Sequence, residues 1–205
     1  MEQFATEEQQ VEAIKRFWKE NGMAIVIGAV LGLGGLWGWR YYSDSQIAAK
    51  EQASVAYQNV VQNLQAENGN AEAEAFLNEY NDSGYAAITA LVMAAKAVQD
   101  NDLAKANEYL QTATNAQDAA VRDVAHLRLA RVLLAQDDAQ GALQQAGEVK
   151  NAAFNAQVEE LKGDAYVQMQ DFVQARLAYS NAVDAAPENR MVKMKLDNLA
   201  IASES

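Results

Sequence analysis

The sequence lacks cysteine and has only one proline, one histidine and, outside one apolar segment, few glycines. Without cysteine, neither a disulfide nor a thiol nucleophile is available, so a folded domain must be held together by its apolar core. The composition is instead rich in Ala, Gln, Leu and Glu, and apolar residues do not alternate with polar ones over any long stretch. This composition predicts an all-α fold.

Positive charge is also scarce. The chain has 16 Lys and Arg residues against 28 Asp and Glu residues, which gives a formal net charge of −12. Such an acidic surface repels the phosphate backbone of nucleic acids and the headgroups of anionic lipids. A nucleic-acid partner is therefore not expected.

One apolar run stands out in this polar chain. Residues 21–39 (NGMAIVIGAVLGLGGLWGW) carry no charge and lie between Glu20 and Arg40. A helix of this length spans roughly 28 Å, close to the hydrocarbon thickness of a bilayer. The alternative is a cleaved signal peptide, but the bulky Trp37 and Trp39 suit a membrane interface better than a peptidase site. We therefore expect a single uncleaved transmembrane helix.

The flanking charges predict its orientation. Lys15, Arg16 and Lys19 precede the span, whereas only Arg40 and Lys50 follow it closely. Because positive charge is retained on the cytoplasmic side, residues 1–20 are predicted to be a cytoplasmic tail and residues 40–205 a periplasmic domain. The protein would then be a single-pass, type II membrane protein.

The span is rich in glycine. Two pairs of glycines lie four residues apart, Gly28 with Gly32 and Gly34 with Gly38. Small residues at this spacing form a flat strip that a second membrane helix can approach closely. We expect a helix–helix contact there, and the alternative is that the strip faces lipid.

Internal repetition predicts the architecture of the large domain. Residues 156–189 follow the 34-residue tetratricopeptide pattern, weaker copies occupy residues 87–120 and 123–156, and residues 190–201 are expected to cap the array. Small residues let paired helices touch, aromatic residues fill the space between hairpins, and the proline ends a helix. The expected packing residues are Gly163, Tyr166, Ala175, Tyr179, Ala182 and Pro187. Residues 44–67 and 71–80 read as a long and a short helix, either a degenerate fourth repeat or a stalk.

The repeat register also predicts a binding groove, because the first helix of each hairpin faces the concave side. The candidate groove residues are Leu91, Gln99, Leu127, Arg131, Leu134, Glu160, Asp164 and Gln168. This groove would be apolar near the membrane and acidic at its far end, which suits a helical or unfolded protein segment. The alternative is that the helix over residues 44–67 buries some of these leucines.

Catalytic groups are sparse. His126 falls at a packing position of the middle repeat, and the carboxylates of Glu159 and Glu160 read as a solvated helix edge. No serine lies in a G-x-S-x-G elbow, and no phosphate-binding glycine motif is present. We therefore expect no enzyme, no cofactor and no metal site.

Several blocks resemble a known family in their order along nearly the whole chain. These are VEAIKRFWKENG, a glycine-rich span ending in GWRYY, SVAYQNVV, LRLARVLLAQ, LKGDAY and MKLDNLAI. They are similar to the ancillary SecYEG translocon subunits of Gram-negative bacteria. The resemblance implies an inner-membrane protein with a periplasmic tetratricopeptide-like domain. It also implies association with Sec translocon subunits and a membrane-anchored periplasmic prolyl isomerase chaperone, and a link to a cytoplasmic response regulator. Unfolded client proteins are the further partners that the predicted groove suits.

The sequence thus leads to three hypotheses. The first is a non-enzymatic scaffold at the Sec translocon that passes emerging chains toward periplasmic chaperones. The second is a structural adaptor for envelope or cell-division complexes that binds no clients. The third, a membrane-anchored enzyme, is disfavoured by the inventory of side chains.

Overall fold

The computed structural model of the chain describes residues 7–64, 66 and 68–202. Within these residues the chain forms nine α-helices and one short 3-10 turn at Ala152–Phe154, without any strand. The helices are α1 Glu7–Asn63, α2 Gly69–Glu79, α3 Gly84–Gln99, α4 Leu103–Ala113, α5 Ala119–Ala135, α6 Ala139–Glu148, α7 Asn155–Gln168, α8 Phe172–Ala185 and α9 Arg190–Ala202. Residues 1–6 of the predicted tail, and residues 65 and 67 of the predicted 44–67 helix, lie outside the described residues.

The chain divides into two compact units, one ending at Gln52 and the other beginning at Ala53. The first unit is the N-terminal part of α1, whose apolar side chains are exposed, as expected for a surface that lipid would cover. Among the described helices, α1 alone is long and apolar enough to cross a membrane. It is a candidate transmembrane span.

The second unit is an array of helical hairpins. Helices α3 and α4, α5 and α6, and α7 and α8 pair, and each helix packs against the next one along the chain. The first helices of successive hairpins also touch, α3 against α5 and α5 against α7. This is the arrangement of a tetratricopeptide-like solenoid, so the predicted fold class is confirmed.

The three hairpins share one turn geometry. In each, the second residue after the first helix has a positive φ, and these residues are Asn101 (58°), Asp137 (62°) and Gln170 (59°). The following residue is an aspartate whose backbone N–H reaches a carbonyl oxygen five residues earlier. The three bonds run from Asp102 to Ala97 (2.8 Å), from Asp138 to Leu133 (2.9 Å) and from Asp171 to Tyr166 (2.9 Å). The turn therefore satisfies carbonyls that the end of a helix would otherwise leave unpaired.

The same aspartates begin the second helix of each hairpin. Each carboxylate accepts a hydrogen bond from the backbone N–H three residues later, at Lys105 (3.0 Å), Gly141 (2.8 Å) and Gln174 (3.1 Å). Four residues after each aspartate lies an alanine that is at most 1% exposed: Ala106, Ala142 and Ala175. A capped start and a small buried residue thus recur at the same position of every hairpin.

The C-terminal turns of α1 pack into the array. Val60 and Leu64 belong to the first core cluster together with Phe76 of α2, and the ring of Tyr57 stacks on that of Tyr85, with centroids 5.2 Å apart. Helix α1 ends at Asn63, and α2 begins at Gly69. A Cβ atom at position 69 would overlap backbone atoms of Asn63 and Leu64, so this close approach requires glycine.

The helices of the first two hairpins begin earlier than the predicted repeats. Helix α3 begins at Gly84, because the Ser83 hydroxyl accepts a hydrogen bond from the N–H of Ala86. Helix α5 begins at Ala119, because the Asp118 carboxylate accepts hydrogen bonds from Ala120 and Val121. Residues 87 and 123, where the predicted repeats begin, therefore define the register of the repeat pattern and not the first residues of the helices.

Candidate functional site

An apolar pocket lies where the first two hairpins meet. It has a volume of about 410 Å³, within the size range of ligand clefts. The second half of α3, the second half of α5 and the side of α4 that faces them line it, through Ala94, Ala95, Val98, Gln99, Leu103, Leu110, Arg128, Arg131, Val132 and Ala135. Most of these side chains are apolar, and the two arginines supply the positive charge.

The pocket includes part of the predicted groove. Gln99 and Arg131 line it, and both are exposed. Arg131 extends toward the third hairpin, where its Nη2 lies 3.5 Å from Oε1 of Gln157. For these two residues the role in a groove remains a prediction that the pocket supports.

Two predicted groove leucines are in the core instead. Leu91 is only 9% exposed and packs in the first core cluster, and Leu127 is 2% exposed and packs in the second. Leu127 is covered by the α6–α7 region and not by the 44–67 helix, which was the alternative considered from the sequence. The cluster around Leu91, in contrast, includes Val60 and Leu64 of the 44–67 segment, as that alternative expects. Neither leucine therefore lies in an open groove.

The far end of the predicted groove is not an open acidic surface. The ammonium of Lys195 on α9 lies 2.8 Å from Glu160 and 2.7 Å from Asp164, so the cap helix covers both carboxylates. Gln168 donates a hydrogen bond to the backbone carbonyl of Leu134 (2.8 Å), and the Leu134 side chain is half-buried. The expectation of a free acidic end is corrected accordingly.

This ionic cluster is partly shielded from water. Burial alone would lower the pKa of Lys195, but hydrogen bonds to Asp164 and Glu160 outweigh it and raise that pKa. The Tyr179 hydroxyl donates to Asp164 at 2.6 Å, and burial together with that hydrogen bond raises the pKa of Tyr179 strongly. Tyr179 therefore stays protonated, and the cluster joins α7, α8 and α9.

The predicted packing residues of the third hairpin surround this cluster. Gly163 is buried, and a Cβ atom there would overlap the Tyr179 ring. Ala175 and Ala182 are fully buried, Tyr166 is partly buried against the last core cluster, and the exposed Pro187 follows the end of α8.

One structural carboxylate was missed by the sequence reasoning. Asp123 on α5 is 5% exposed, and it accepts hydrogen bonds from the backbone N–H groups of Lys150 and Asn151, both at 3.0 Å. It thus fixes the connection between the second and third hairpins. No local motif signals this role, because its partners lie 27 and 28 residues away.

The potentially catalytic residues are placed in structural contacts. His126 is half-buried, with its Nδ1 2.7 Å from Oε1 of Gln145. Glu159 pairs with Lys162 at 2.6 Å, whereas Glu160 pairs with Lys195. Among the described residues no group of His, Asp and Glu is arranged to hold a metal ion.

The glycines of the span lie on the exposed surface of α1. Nothing lies within 4 Å of a Cβ built at Gly28, Gly32, Gly34 or Gly38. There is consequently room for another helix against them, and the contact itself remains a prediction.

These features together define the class of protein to which the chain belongs. The chain is a helical-repeat protein with a candidate membrane span and an apolar, arginine-edged pocket between its hairpins. Residues 15–201 match a family described as a tetratricopeptide repeat-like domain.

Comparison with curated proteins gives the particular family. The chain is 37% identical to the ancillary SecYEG translocon subunit of Escherichia coli (strain K12) over 207 aligned residues, covering 98% of this chain and 100% of that protein. It is 34% identical to the protein of the same name from Haemophilus influenzae, with 94% and 97% covered, and 27% identical to the one from Neisseria gonorrhoeae, with 94% and 97% covered. The chain therefore belongs to the family of ancillary SecYEG translocon subunits.

Proposed function

We propose that this protein is a non-enzymatic adaptor of the inner membrane that associates with the Sec translocon and links translocated chains to periplasmic chaperones. One observation carries the proposal: a candidate membrane span and a hairpin array are joined in one chain that matches ancillary SecYEG translocon subunits along nearly its full length. The span would hold the protein beside the translocon, and the array would present binding surfaces.

The proposed orientation places residues 1–20 in the cytoplasm and the hairpin array in the periplasm. The support is the cluster of Lys15, Arg16 and Lys19 before the span. Protease added to spheroplasts should then degrade the array, and a protected array would contradict the orientation.

The specific partners other than the Sec translocon are also proposals. They are a membrane-anchored periplasmic prolyl isomerase chaperone and a cytoplasmic response regulator, which rest on the family resemblance, and unfolded client proteins, which rest on the predicted groove. The tetratricopeptide repeat-like domain and the name that the relatives share support a binding role over an enzymatic one.

Copurification after mild detergent extraction tests the proposal. A tagged full chain should retain Sec translocon subunits and a periplasmic chaperone. The matched control is a chain in which an unrelated single-pass span replaces residues 21–39, and it should lose the translocon subunits while still inserting. Recovery of cell-wall synthesis or division proteins in place of translocon subunits would favour the second candidate, a structural adaptor of the envelope.

A further inference from the structure

The edge of the pocket between the first two hairpins carries two arginines from one face of α5. Arg128 and Arg131 are three residues apart, so their side chains lie on neighbouring positions of the helix surface. Both are exposed, and between them and α3 lies an apolar wall that includes Val98, which is 46% exposed. Positive charge and apolar surface are therefore available side by side.

These two guanidinium groups have only weak partners. Nη1 of Arg128 lies 3.5 Å from the carbonyl oxygen of Leu91, and Nη2 of Arg131 lies 3.5 Å from Oε1 of Gln157. Both distances exceed those of good hydrogen bonds. Within the described part of the chain neither arginine forms an ion pair, whereas Lys105, Lys162 and Lys195 each do.

This arrangement is unusual for a chain with a net charge of −12. Carboxylates outnumber cations in the sequence as a whole, yet two adjacent guanidinium groups beside an apolar cavity have no carboxylate within ion-pair distance in the described structure. Guanidinium is suited to bind carboxylate through two parallel hydrogen bonds. The site is thus complementary to a ligand that combines an apolar group with negative charge.

We propose that this pocket binds a segment of a partner protein in which apolar side chains stand next to carboxylates. The apolar side chain occupies the cavity between α3, α4 and α5, and the neighbouring carboxylate pairs with Arg128 and Arg131. An anionic membrane surface fits less well, because the acidic chain as a whole repels it. This inference rests on the proposed adaptor function and adds to it the chemistry of the segment that is recognised.

Fluorescence anisotropy with the full chain in neutral detergent micelles tests the proposal. The probe is a fluorescein-labelled 12-residue peptide of Gly, Ser and Ala that contains one Leu-Asp-Leu-Asp block. Two matched peptides replace the aspartates by asparagines or the leucines by serines. The first peptide should bind at least about tenfold more tightly than either control, since each charged hydrogen bond and each buried leucine contributes separately.

The variant Arg128→Gln with Arg131→Gln should weaken binding of the peptide that contains the Leu-Asp-Leu-Asp block by about tenfold or more. Its control is Arg190→Gln with Lys193→Gln, which removes the same charge from exposed positions of α9, outside the pocket, and should leave binding unchanged. Equal loss in both variants, or equal binding of the asparagine peptide, would overturn the proposal. Displacement of the peptide by anionic phosphatidylglycerol vesicles but not by neutral vesicles would also overturn it, in favour of a lipid site.

The same arginine variants separate this inference from the adaptor function. In copurification they should keep the Sec translocon subunits, because the membrane span is unaltered. Loss of peptide binding with the translocon retained supports the pocket as a recognition site. Wild-type copurification with no measurable peptide binding would refute the pocket alone and leave the adaptor function intact.

Discussion

At the residue scale, Gly163 lies against the ring of Tyr179, so the two helices of the third hairpin touch where one of them has no side chain. The ring cannot move away freely, because the Tyr179 hydroxyl is bonded to Asp164 at 2.6 Å. The smallest possible addition, one methyl group, therefore probes whether this contact is as tight as the geometry indicates.

Gly163→Ala should lower the free energy of unfolding by about 1–3 kcal/mol, because the added Cβ overlaps the Tyr179 ring. Urea unfolding of the full chain in detergent, followed by circular dichroism, measures it. The control Gly147→Ala lies in open space on α6 and should raise stability by about 0.4–1 kcal/mol. An increase of similar size in both variants would show that the third hairpin is loosely packed.

Lys195→Met should lower the free energy of unfolding by about 1–3 kcal/mol at neutral pH, because it leaves Glu160 and Asp164 without their cation. Adding Asp164→Asn to this variant should recover part of the loss. A double-mutant cycle in urea measures the coupling, and additive effects of the two substitutions would contradict a joint cluster.

The ammonium of Lys195 also predicts a pH dependence. Its pKa in the folded chain is raised above the ordinary lysine value, so its stabilising effect is fully present below that ordinary value of about 10.4. The effect is lost as the pH rises through the higher folded pKa. The stability difference between the wild type and Lys195→Met should therefore be constant from pH 7 to about 10 and shrink above it, as followed by urea midpoints at each pH.

At the scale of elements, one turn joins the two helices of every hairpin, and none of its three left-handed positions is a glycine. Asn and Asp tolerate this conformation better than other side chains, whereas Gln does so poorly. The turns are thus held by their hydrogen bonds and capping aspartates more than by the local preference of the residue.

Gln170→Gly should raise the free energy of unfolding by about 1 kcal/mol, since it removes the steric cost of a positive φ. Asn101→Gly should have a smaller effect in the equivalent turn. The control Gln144→Gly, at an exposed position inside α6, should instead lower stability by about 0.5–1 kcal/mol. Thermal melts rank the stabilities of the three variants. A destabilised Gln170→Gly variant would mean that the Gln170 side chain stabilises the turn.

The sequence predicts elements well where a pattern repeats. The aspartates that begin the second helices are 36 and 33 residues apart, and a buried alanine follows each one at the same offset. The spacing of residues in the sequence is therefore sufficient to predict the second helix of each hairpin. Burial of Leu91 and Leu127 was not predictable in this way, because the same register position lies in a groove or in the core depending on the adjacent hairpin. The contacts of Lys195 with residues 31 and 35 positions earlier are likewise invisible to short-range spacing.

At the scale of the whole molecule, the candidate span and the hairpin array provide two separate surfaces for partners. Weak contacts at two surfaces of one chain reinforce each other, because binding at one raises the effective concentration at the other. The proposed contacts in the membrane are the two glycine pairs, Gly28 with Gly32 and Gly34 with Gly38, each of which has open space around it.

Gly28→Leu with Gly32→Leu should reduce recovery of translocon subunits without affecting insertion, because leucine keeps the span apolar but blocks close approach of a second helix. The control Val26→Leu with Ala29→Leu adds bulk to a face of the same helix that carries neither glycine pair and should leave recovery unchanged. Quantitative mass spectrometry of the copurified proteins measures both. Unchanged recovery in the glycine variant would mean that the strip faces lipid.

The packing of each helix against its sequence neighbours has a consequence for how the array acquires its structure. Most helix packing in the array joins consecutive helices or the first helices of adjacent hairpins. Other side-chain contacts, such as those of Lys105 with Glu74 and of Lys195 with Glu160, skip a single helix. Such a topology has a low contact order, so it forms quickly and can grow from one end. Because synthesis begins at the N-terminus, the array can therefore fold hairpin by hairpin while the chain is being made. The first hairpins can form before α9 and Lys195 are available to pack against the third hairpin.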